Sequence, residues 1–469
     1  MRRTTGPCGY AVVVRCTMPA PSGSTHLIGI LSTMNTLTNT TRAAGGRKRI
    51  AVVTMGVKLG DETRGYTRFR FLSEMLVEQG FDVDLITSSF QHWDKAQRDT
   101  SKACYRGLPY NIVFIDEPGY QKNLDLSRIR SHHKAAKNLK AHFEANIGRY
   151  SLVYSEIPPN DVARVCAEFA SSQRIPFVAD INDLWPEAMR MVVNVLVISD
   201  IAFFPFARDA KRVYRLLSGA VGTSDEYAAR PAADRKAPYR QETVYVGNDL
   251  QAFDEGAREH LGDVHKPADE VWAVYAGTLG ASYDIATLVR AAALLEKRRA
   301  QYLARTGAEG TTGIRRPFPA VRVKILGDGP DRAALEKLAR EENAPVEFLG
   351  YQSHASMAAW LRASDITVNS LVKSAAQSIV TKIGDYLASG KPMINTGSSL
   401  EFRTKVTTDG FGLNVEAENP EALANALEEL ARTPSLRKIM GARGRAIAEK
   451  EFDQRTSYLT IVNLIRNLL

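Results

Sequence analysis

The chain has 469 residues, enough for two α/β domains. With 44% hydrophobic and 24% charged residues, its composition is that of an ordinary globular protein and excludes fibrous and low-complexity classes. The net charge of +9 is concentrated at the start: residues 1–50 hold seven Lys/Arg and no Asp/Glu, leaving 54 basic against 52 acidic groups, a near-neutral body unsuited to nucleic acid.

Residues 1–48 are rich in Thr, Ser, Gly and Ala without periodicity and read as a disordered basic arm. Met34 opens a more usual lead into the first strand, so residues 1–33 read as an over-called start. Arg2 and Arg3 precede an apolar run, but Arg15 and Cys16 break it, which does not make a signal peptide. No run of about 18 apolar residues exists to span a membrane. Cys8, Cys16, Cys104 and Cys166 form no close pair and no metal-type cluster, as expected of reduced thiols in a cytosol.

From residue 49, apolar strands alternate with amphipathic helices. Strands are predicted at Ile50–Thr54, Phe81–Thr87, Ile112–Ile115, Leu152–Tyr154, Pro176–Ala179, Gly219–Gly222 and Thr243–Val246, with a helix over Tyr66–Gln79. The pattern lapses over 249–270, giving a first domain at 49–250 and a linker at 251–270. It restarts with strands at Val271–Ala276, Val321–Leu326, Val346–Leu349, Asp365–Asn369 and Pro392–Thr396 in a second domain at 271–450. Residues 301–318 read as an exposed insertion, and 451–469 as a helix returning to the first domain. Strands alternating with helices predict α/β architecture: two Rossmann-like, doubly wound domains facing a cleft, with ligands at the carboxyl ends of the strands.

Three strand-end loops in the second domain are candidate phosphate seats. Gly277, Thr278 and Gly280 follow one strand, and Gly327 and Gly329 the next; both glycine clusters suit close backbone approach to a diphosphate, and both suit a plain tight turn. The third loop, Ser370 to Pro392, carries Lys373 and ends in a helix opening at Thr381, an N-cap or first-turn residue. Lys382 there opposes the helix dipole, a conflict that a bound anion removes; a solvated surface lysine is the alternative. Asp385 lies one turn on, where it can accept from ribose hydroxyls.

VYAGTLG, VKILGDGPDRAALEKLA, VEFLGY (ending at Tyr351), LRASDITV and TKIGDYLASGKPMI together resemble the donor domain of retaining glycosyltransferases of family four, and ADINDLWPEAM resembles the acceptor side of its bacterial surface-polysaccharide subgroup. The resemblance spans roughly residues 49–460. It implies the two-domain GT-B fold, a nucleotide-sugar donor, and retaining transfer with no metal or other cofactor. It implies that Tyr351 belongs to the donor site. The family's two Glu, separated by seven residues, fall on Gln377 and Asp385. Gln377 brings no negative charge to an oxocarbenium-like transition state, and Leu279 stands where the family has an Arg, so Lys382 or Lys373 would serve the diphosphate. In the first domain the resemblance puts the Gly56, Gly60 and Gly65 loop, with Arg68, beneath the diphosphate; an exposed Arg68 is an even alternative. Glu156 and Asp183, at two other strand ends, are candidates to orient or deprotonate an acceptor hydroxyl. His132 and His133 offer no metal spacing.

Two basic amphipathic stretches suit an anionic leaflet. One runs from Leu126 to Phe143 with Arg130, Lys134 and Lys137. The other, 201–217, couples Phe203, Phe204 and Phe206 to Arg208, Lys211, Arg212 and Arg215. The expected protein is a cytoplasmic transferase, peripheral on the inner face of the cell membrane, acting on a glycan or lipid-linked acceptor in surface-polysaccharide synthesis. The alternatives are a catalytically silent GT-B subunit that pairs with an active transferase, and a nucleotide-sugar epimerase.

Overall fold

Strand β1 (Arg49–Val53) lies inside a seven-stranded sheet, third from one edge, and its residues Ile50 to Val53 are wholly buried. A strand this apolar on both faces needs cover on both sides, which a parallel sheet between helices supplies. The other strands are β2 (Asp82–Ser88), β5 (Asn111–Ile115), β6 (Leu152–Ile157), β7 (Phe177–Ile181), β8 (Gly219–Gly222) and β9 (Arg240–Thr243). All pair in parallel, in the order β5-β2-β1-β6-β7-β8-β9. A hairpin, β3 (Phe90–Gln91) with β4 (Ala96–Gln97), projects after β2.

The computed structural model describes residues 46–62, 66–122, 125–187, 196–306, 318–375 and 379–469. Both sheets lie within one compact unit, Lys48–Leu469. The second sheet is six-stranded and parallel, in the order β12-β11-β10-β13-β14-β15. Its members are β10 (Glu270–Ala276), β11 (Ala320–Leu326), β12 (Val346–Gly350), β13 (Ile366–Asn369), β14 (Met393–Asn395) and β15 (Gly412–Asn414).

The period-two alternation of β1 divides the first domain's core. Ala51 and Val53 pack with side chains of α2 (Leu126–Glu144), α3 (Asn160–Gln173) and α4 (Leu196–Leu216). Ile50 and Val52 pack with α1 (Arg68–Glu78) and with Tyr458, Ile461 and Ile465 of the last segment, whose helix spans Leu459–Leu468. The carboxyl-terminal helix therefore completes the first domain.

Three predicted elements differ. The expected strand Thr243–Val246 lies earlier, at Arg240–Thr243. The expected linker holds α5 (Leu250–His260), started by the Asp249 carboxylate accepting the Ala252 N–H at 3.1 Å. Leu250, Phe253, Gly256 and Ala257 are its buried face, and at Gly256 it closes on the helix His354–Ala363. The helix expected to open at Thr381 spans Ile383–Ala388, with Thr381 exposed in the preceding turn; Lys382 is the N-cap, and no side chain caps it.

Arg68 is neither exposed nor available to a diphosphate. Its side chain is 1% exposed, and its Nε and Nη2 donate to both oxygens of Asp180, at 2.8 and 3.1 Å. Nη1 donates to the Tyr245 carbonyl at 3.1 Å, the Tyr154 hydroxyl donates to Asp180 at 2.6 Å, and the guanidinium sits 4.9 Å from the centre of the Tyr458 ring. One ion pair thus ties α1, β6, β7, the crossover between domains and the returning segment. Arg68→Met should destabilise the protein by about 3–5 kcal/mol in urea unfolding, because it strands a buried carboxylate, and adding Asp180→Leu should recover part of the loss. A loss below about 1 kcal/mol would refute this role.

Candidate active site

The carboxyl ends of β1, β6 and β7 surround a cavity of about 250 Å³ in the first domain. Glu156, near the end of β6, and Asp183, just past β7, line it with Met55 and Gly56 from the loop after β1. The Thr54 hydroxyl donates to Glu156 at 2.5 Å. Burial, with the charge of Asp180 adding, pushes the Glu156 carboxyl up to about 7 against the Thr54 and backbone N–H bonds that favour its ionised form. Burial also raises Asp183, although the Leu184 N–H (2.9 Å) and the Trp185 indole N–H (3.1 Å) donate to it. Gly56 keeps the floor open: a Cβ there would come 3.3 Å from the Trp93 ring and 3.7 Å from the Glu156 oxygens. Gly60 has nothing within 4 Å of where a Cβ would stand, so packing does not require glycine there.

Across the cleft, Lys382 is half-buried between two tyrosines. Its ammonium lies 4.0 Å from the ring centres of both Tyr275 and Tyr283 and donates to the Tyr275 hydroxyl at 2.9 Å. Desolvation holds it well below the usual lysine range. This is not the solvated surface lysine that the sequence left open. The Tyr66 phenol is pushed up to about 12, first by burial and then by Glu156 and Asp183 of its own domain and Tyr283 of the second.

The glycine loops are largely occupied with each other. A Cβ on Gly327 would stand 1.8 Å from the Gly277 carbonyl oxygen, and one on Gly329 would stand 2.1 Å from that of Leu279. The Leu279 N–H donates to the Asp328 carbonyl at 3.0 Å. Loop-to-loop packing thus accounts for Gly327 and Gly329. On Gly277 a Cβ would collide with the Lys382 ammonium, 2.5 Å away, while Gly280 meets nothing closer than 3.9 Å. Thr278 is exposed, and its carbonyl accepts from the Tyr275 hydroxyl at 2.7 Å. Leu279 is wholly buried in the second domain's core.

Asp385 accepts from the Asn248 amide at 2.9 Å and pairs with the His354 ring at 3.1 Å. Tyr351 stands 69% exposed immediately after β12. Lys373 is exposed, and its backbone N–H donates to Glu418 at 3.0 Å. Thr381 is exposed and caps nothing. Gln377 and Gly65 lie outside the described residues. Among the described residues, no group of three or more His, Cys, Asp or Glu is arranged to hold a metal ion.

Sequence reading missed the cavity's aromatic wall of Tyr66, Trp93, His92, Tyr120, His132 and Trp185. The chain has four Trp, and two of them standing near charged strand-end segments was the available signal. On α2 the core face is Ser131, His132, Ala135, Ala136, Leu139 and Phe143, whereas Leu126 and Ile129 of the expected stripe are exposed. Phe206 packs edge-on against Trp185, at 6.2 Å between ring centres, so it supports the cavity wall.

Two parallel Rossmann-like sheets, with titratable groups at the strand ends on both sides of one cleft, make up the GT-B architecture. Residues 273–433 match the family described as Glycosyl transferases group 1. Among curated proteins, the chain is 28% identical over 228 residues to D-inositol 3-phosphate glycosyltransferase of Thermobifida fusca; the match covers 47% of this chain and 49%, about half, of that relative's length. Among solved structures, sucrose-phosphate synthase from Thermosynechococcus elongatus superposes with a TM-score of 0.62 at 21% identity, over 90% of this chain and 99% of that one. The Anabaena protein HepE, in complex with UDP-glucose, superposes with a TM-score of 0.57 at 15% identity, over 89% and 99%. At these identities the structures speak for the fold.

The raised Glu156 pKa fixes the sign of a pH effect. The folded chain keeps a proton there that the unfolded chain loses above its ordinary value of 4.5, so this contribution to stability is full below about 4.5 and is lost as pH rises to about 7. Glu156→Gln removes that dependence. Thermal unfolding from about pH 5 to 8 should therefore show the variant gaining on the parent as pH rises, and a constant difference would overturn the assignment.

Proposed function

We propose that this protein is a glycosyltransferase that moves a hexose-like unit from a nucleoside-diphosphate sugar, seated against the second domain, to a hydroxyl of a glycan or lipid-linked acceptor in the first. The observation that carries this reading is the Lys382 ammonium. It is held between Tyr275 and Tyr283 at the donor side of the cleft, and Tyr283 also acts on the Tyr66 phenol of the first domain. A desolvated cation beside the strand ends suits a diphosphate that gains charge as it leaves. Glu156 and Asp183 are suited to hold the acceptor hydroxyl, whose oxygen bonds to the anomeric carbon as the bond to the diphosphate breaks.

The match of residues 273–433 supports the reaction class, and the UDP-glucose held by HepE supports a nucleotide-sugar donor. Retention of configuration follows from the resemblance on the second domain, with Gln377 near the transferred sugar and Asp385 toward ribose. The reading includes no required metal, a role in surface-polysaccharide synthesis, and a place on the inner face of the cell membrane.

Lys382→Ala should weaken binding of uridine diphosphate by about 1.5–3 kcal/mol in calorimetry and lower turnover of UDP-sugars in parallel, while the parent keeps its activity in excess chelator. Unchanged affinity in the variant would move the phosphate contact to Lys373. Loss of activity to chelator, restored by magnesium or manganese, would overturn the metal-free reading.

On α4 the membrane reading narrows to one exposed phenylalanine. Phe206 belongs to the cavity wall, whereas Phe204 is 63% exposed, on the same helix as exposed Arg208, Lys211 and Arg212. Among the described residues, no helix is long and apolar enough to cross a membrane. Phe204→Ser should release the protein from anionic vesicles in flotation at moderate salt, because apolar insertion survives screening and charge attraction does not. Unchanged flotation would remove α4 as the contact.

A further inference from the structure

Asp385 is held from two sides, and each side is itself fixed. On one side a Cβ on Gly384 would stand 3.3 Å from the Gly247 carbonyl carbon and 3.5 Å from the Asn248 side chain, so the helix Ile383–Ala388 lies directly against the crossover. The crossover is pinned there, the Asn248 N–H donating to the Phe452 carbonyl at 2.9 Å. The Asn248 side-chain amide then donates to Asp385 Oδ1 at 2.9 Å.

His354 reaches the same oxygen from the other side. It opens the helix His354–Ala363, whose start is capped by the Ser353 hydroxyl accepting the Ser356 N–H at 3.1 Å. The next residue is clamped by α5: a Cβ on Gly256 would stand 2.6 Å from the Ala355 Cα. Phe253 of α5 meets the His354 ring edge-on, at 6.2 Å between centres. From this fixed backbone, His354 Nε2 stands 3.1 Å from Asp385 Oδ1. An ionised carboxylate only accepts, so Nε2 is the donor. The bond to Asp385 holds the imidazole above its ordinary value, with Asp249 adding to the effect and burial and Lys58 of the first domain opposing it. Each carboxylate oxygen offers two acceptor positions, so Asn248 and His354 fill Oδ1. Among the described residues nothing donates to Oδ2, and the side chain is 17% exposed, open to a ligand on that side.

We infer that His354 is a positioning residue for the donor: with Asn248 it commits Asp385 Oδ1, so that Oδ2 meets a ribose hydroxyl in one geometry, and it thereby sets a preference for ribonucleotides over deoxyribonucleotides. This rests on the placement of Asp385 toward ribose in the proposed reaction, and adds the side chain that aims the carboxylate. With both positions of one oxygen taken by donors on rigid elements, the carboxylate swings little, and a bond aimed beforehand does not have to be ordered when the ligand arrives. With Asn248 alone the carboxylate turns more freely about that single bond. His354 itself has no need to touch the nucleotide.

Calorimetric titrations of the full chain with UDP, its 2′-deoxy and 3′-deoxy forms, and uridine are the test; if the parent binds GDP or ADP in place of UDP, the same set is built on that base. In the parent at least one deoxy form should bind about tenfold more weakly than the ribonucleotide, as expected for one lost hydrogen bond to a charged group. His354→Ala should shrink that ratio to about twofold, and His354→Gln, whose amide N–H can still reach Asp385, should keep it within about twofold of the parent. The ratio between UDP and uridine, which the diphosphate sets, should stay within about twofold of the parent in both variants. A distorted pocket would lower both ratios together, so the pair of ratios separates aiming from damage, and circular dichroism checks folding. A deoxy ratio unchanged in His354→Ala would overturn the inference. So would a fall in both ratios, or a glutamine variant no better than alanine. A parent that binds the ribonucleotide and both deoxy forms equally would remove Asp385 from ribose and overturn the inference, leaving the transferase reading in place. A parent that binds none of UDP, GDP and ADP would count against the transferase reading itself and take the inference with it.

Discussion

The arrangement depends on one buried ion pair, Arg68 with Asp180. Asp180 is the residue before the last of β7, at the carboxyl edge where the first domain's candidate functional groups stand. A carboxylate with no exposed surface is tolerable only if its oxygens are satisfied, and Arg68 and the Tyr154 hydroxyl satisfy them. The same guanidinium reaches the Tyr245 carbonyl in the crossover and the ring of Tyr458 in the returning chain. Its position thus fixes where the chain leaves the first domain and where it comes back. Those two passages also bond to each other directly, Asn248 N–H to the Phe452 carbonyl at 2.9 Å and Gln454 N–H to the Asn248 carbonyl at 3.0 Å.

Asp180 also acts on its neighbour. Its negative charge is one reason the Glu156 carboxyl rises to about 7, burial being the larger. A carboxyl at that value changes state near neutrality, so the first domain holds two acids at adjacent strand ends in opposite roles. One is paired with Arg68 and structural. The other is buried beside a cavity and free to change protonation.

The sheets were legible because their strands are rich in apolar residues, in β1 without a break and in others alternating with charged ones. Ile50 to Val53, Val271 to Ala276 and Val321 to Leu326 each lie within a strand found within a residue or two of its predicted bounds. What misled was charge read without its partner. Arg68 follows a glycine loop and looks like an anion ligand until Asp180, 112 residues away, takes it up. Gly327 and Gly329 look like a phosphate cradle until the Gly277 and Leu279 carbonyls are seen against them. In α5 the apolar face is only Leu250, Phe253, Gly256 and Ala257 among charges, too sparse to outweigh its acidic and basic flanks. The aromatic wall escaped because Tyr66, Trp93, Tyr120 and Trp185 come from four separate segments and share no period. Only folding brings them into line.

In the second domain, the residues that the sequence marked as candidate ligands are already engaged by neighbours. Asp385 receives Asn248 from the crossover and His354 from the preceding helix, both on the same oxygen, so its carboxylate is held in one orientation. Tyr275 is anchored by its own hydroxyl to the Thr278 carbonyl and offers the same oxygen to Lys382. Tyr386 accepts the Ala276 N–H at 2.8 Å and donates to the Ala276 carbonyl at 3.1 Å, fixing the helix that begins after Lys382 to the end of β10. The two tyrosine rings that flank the ammonium have no charge to neutralise it; they stabilise it only through their faces, a weaker interaction than an ion pair. A carboxylate in their place would hold the lysine more firmly, but it would compete with any anion. Lying between rings, Lys382 has no ion-pair partner among the described residues and is depressed by desolvation, while the packed glycine loops beside it keep the backbone where it is.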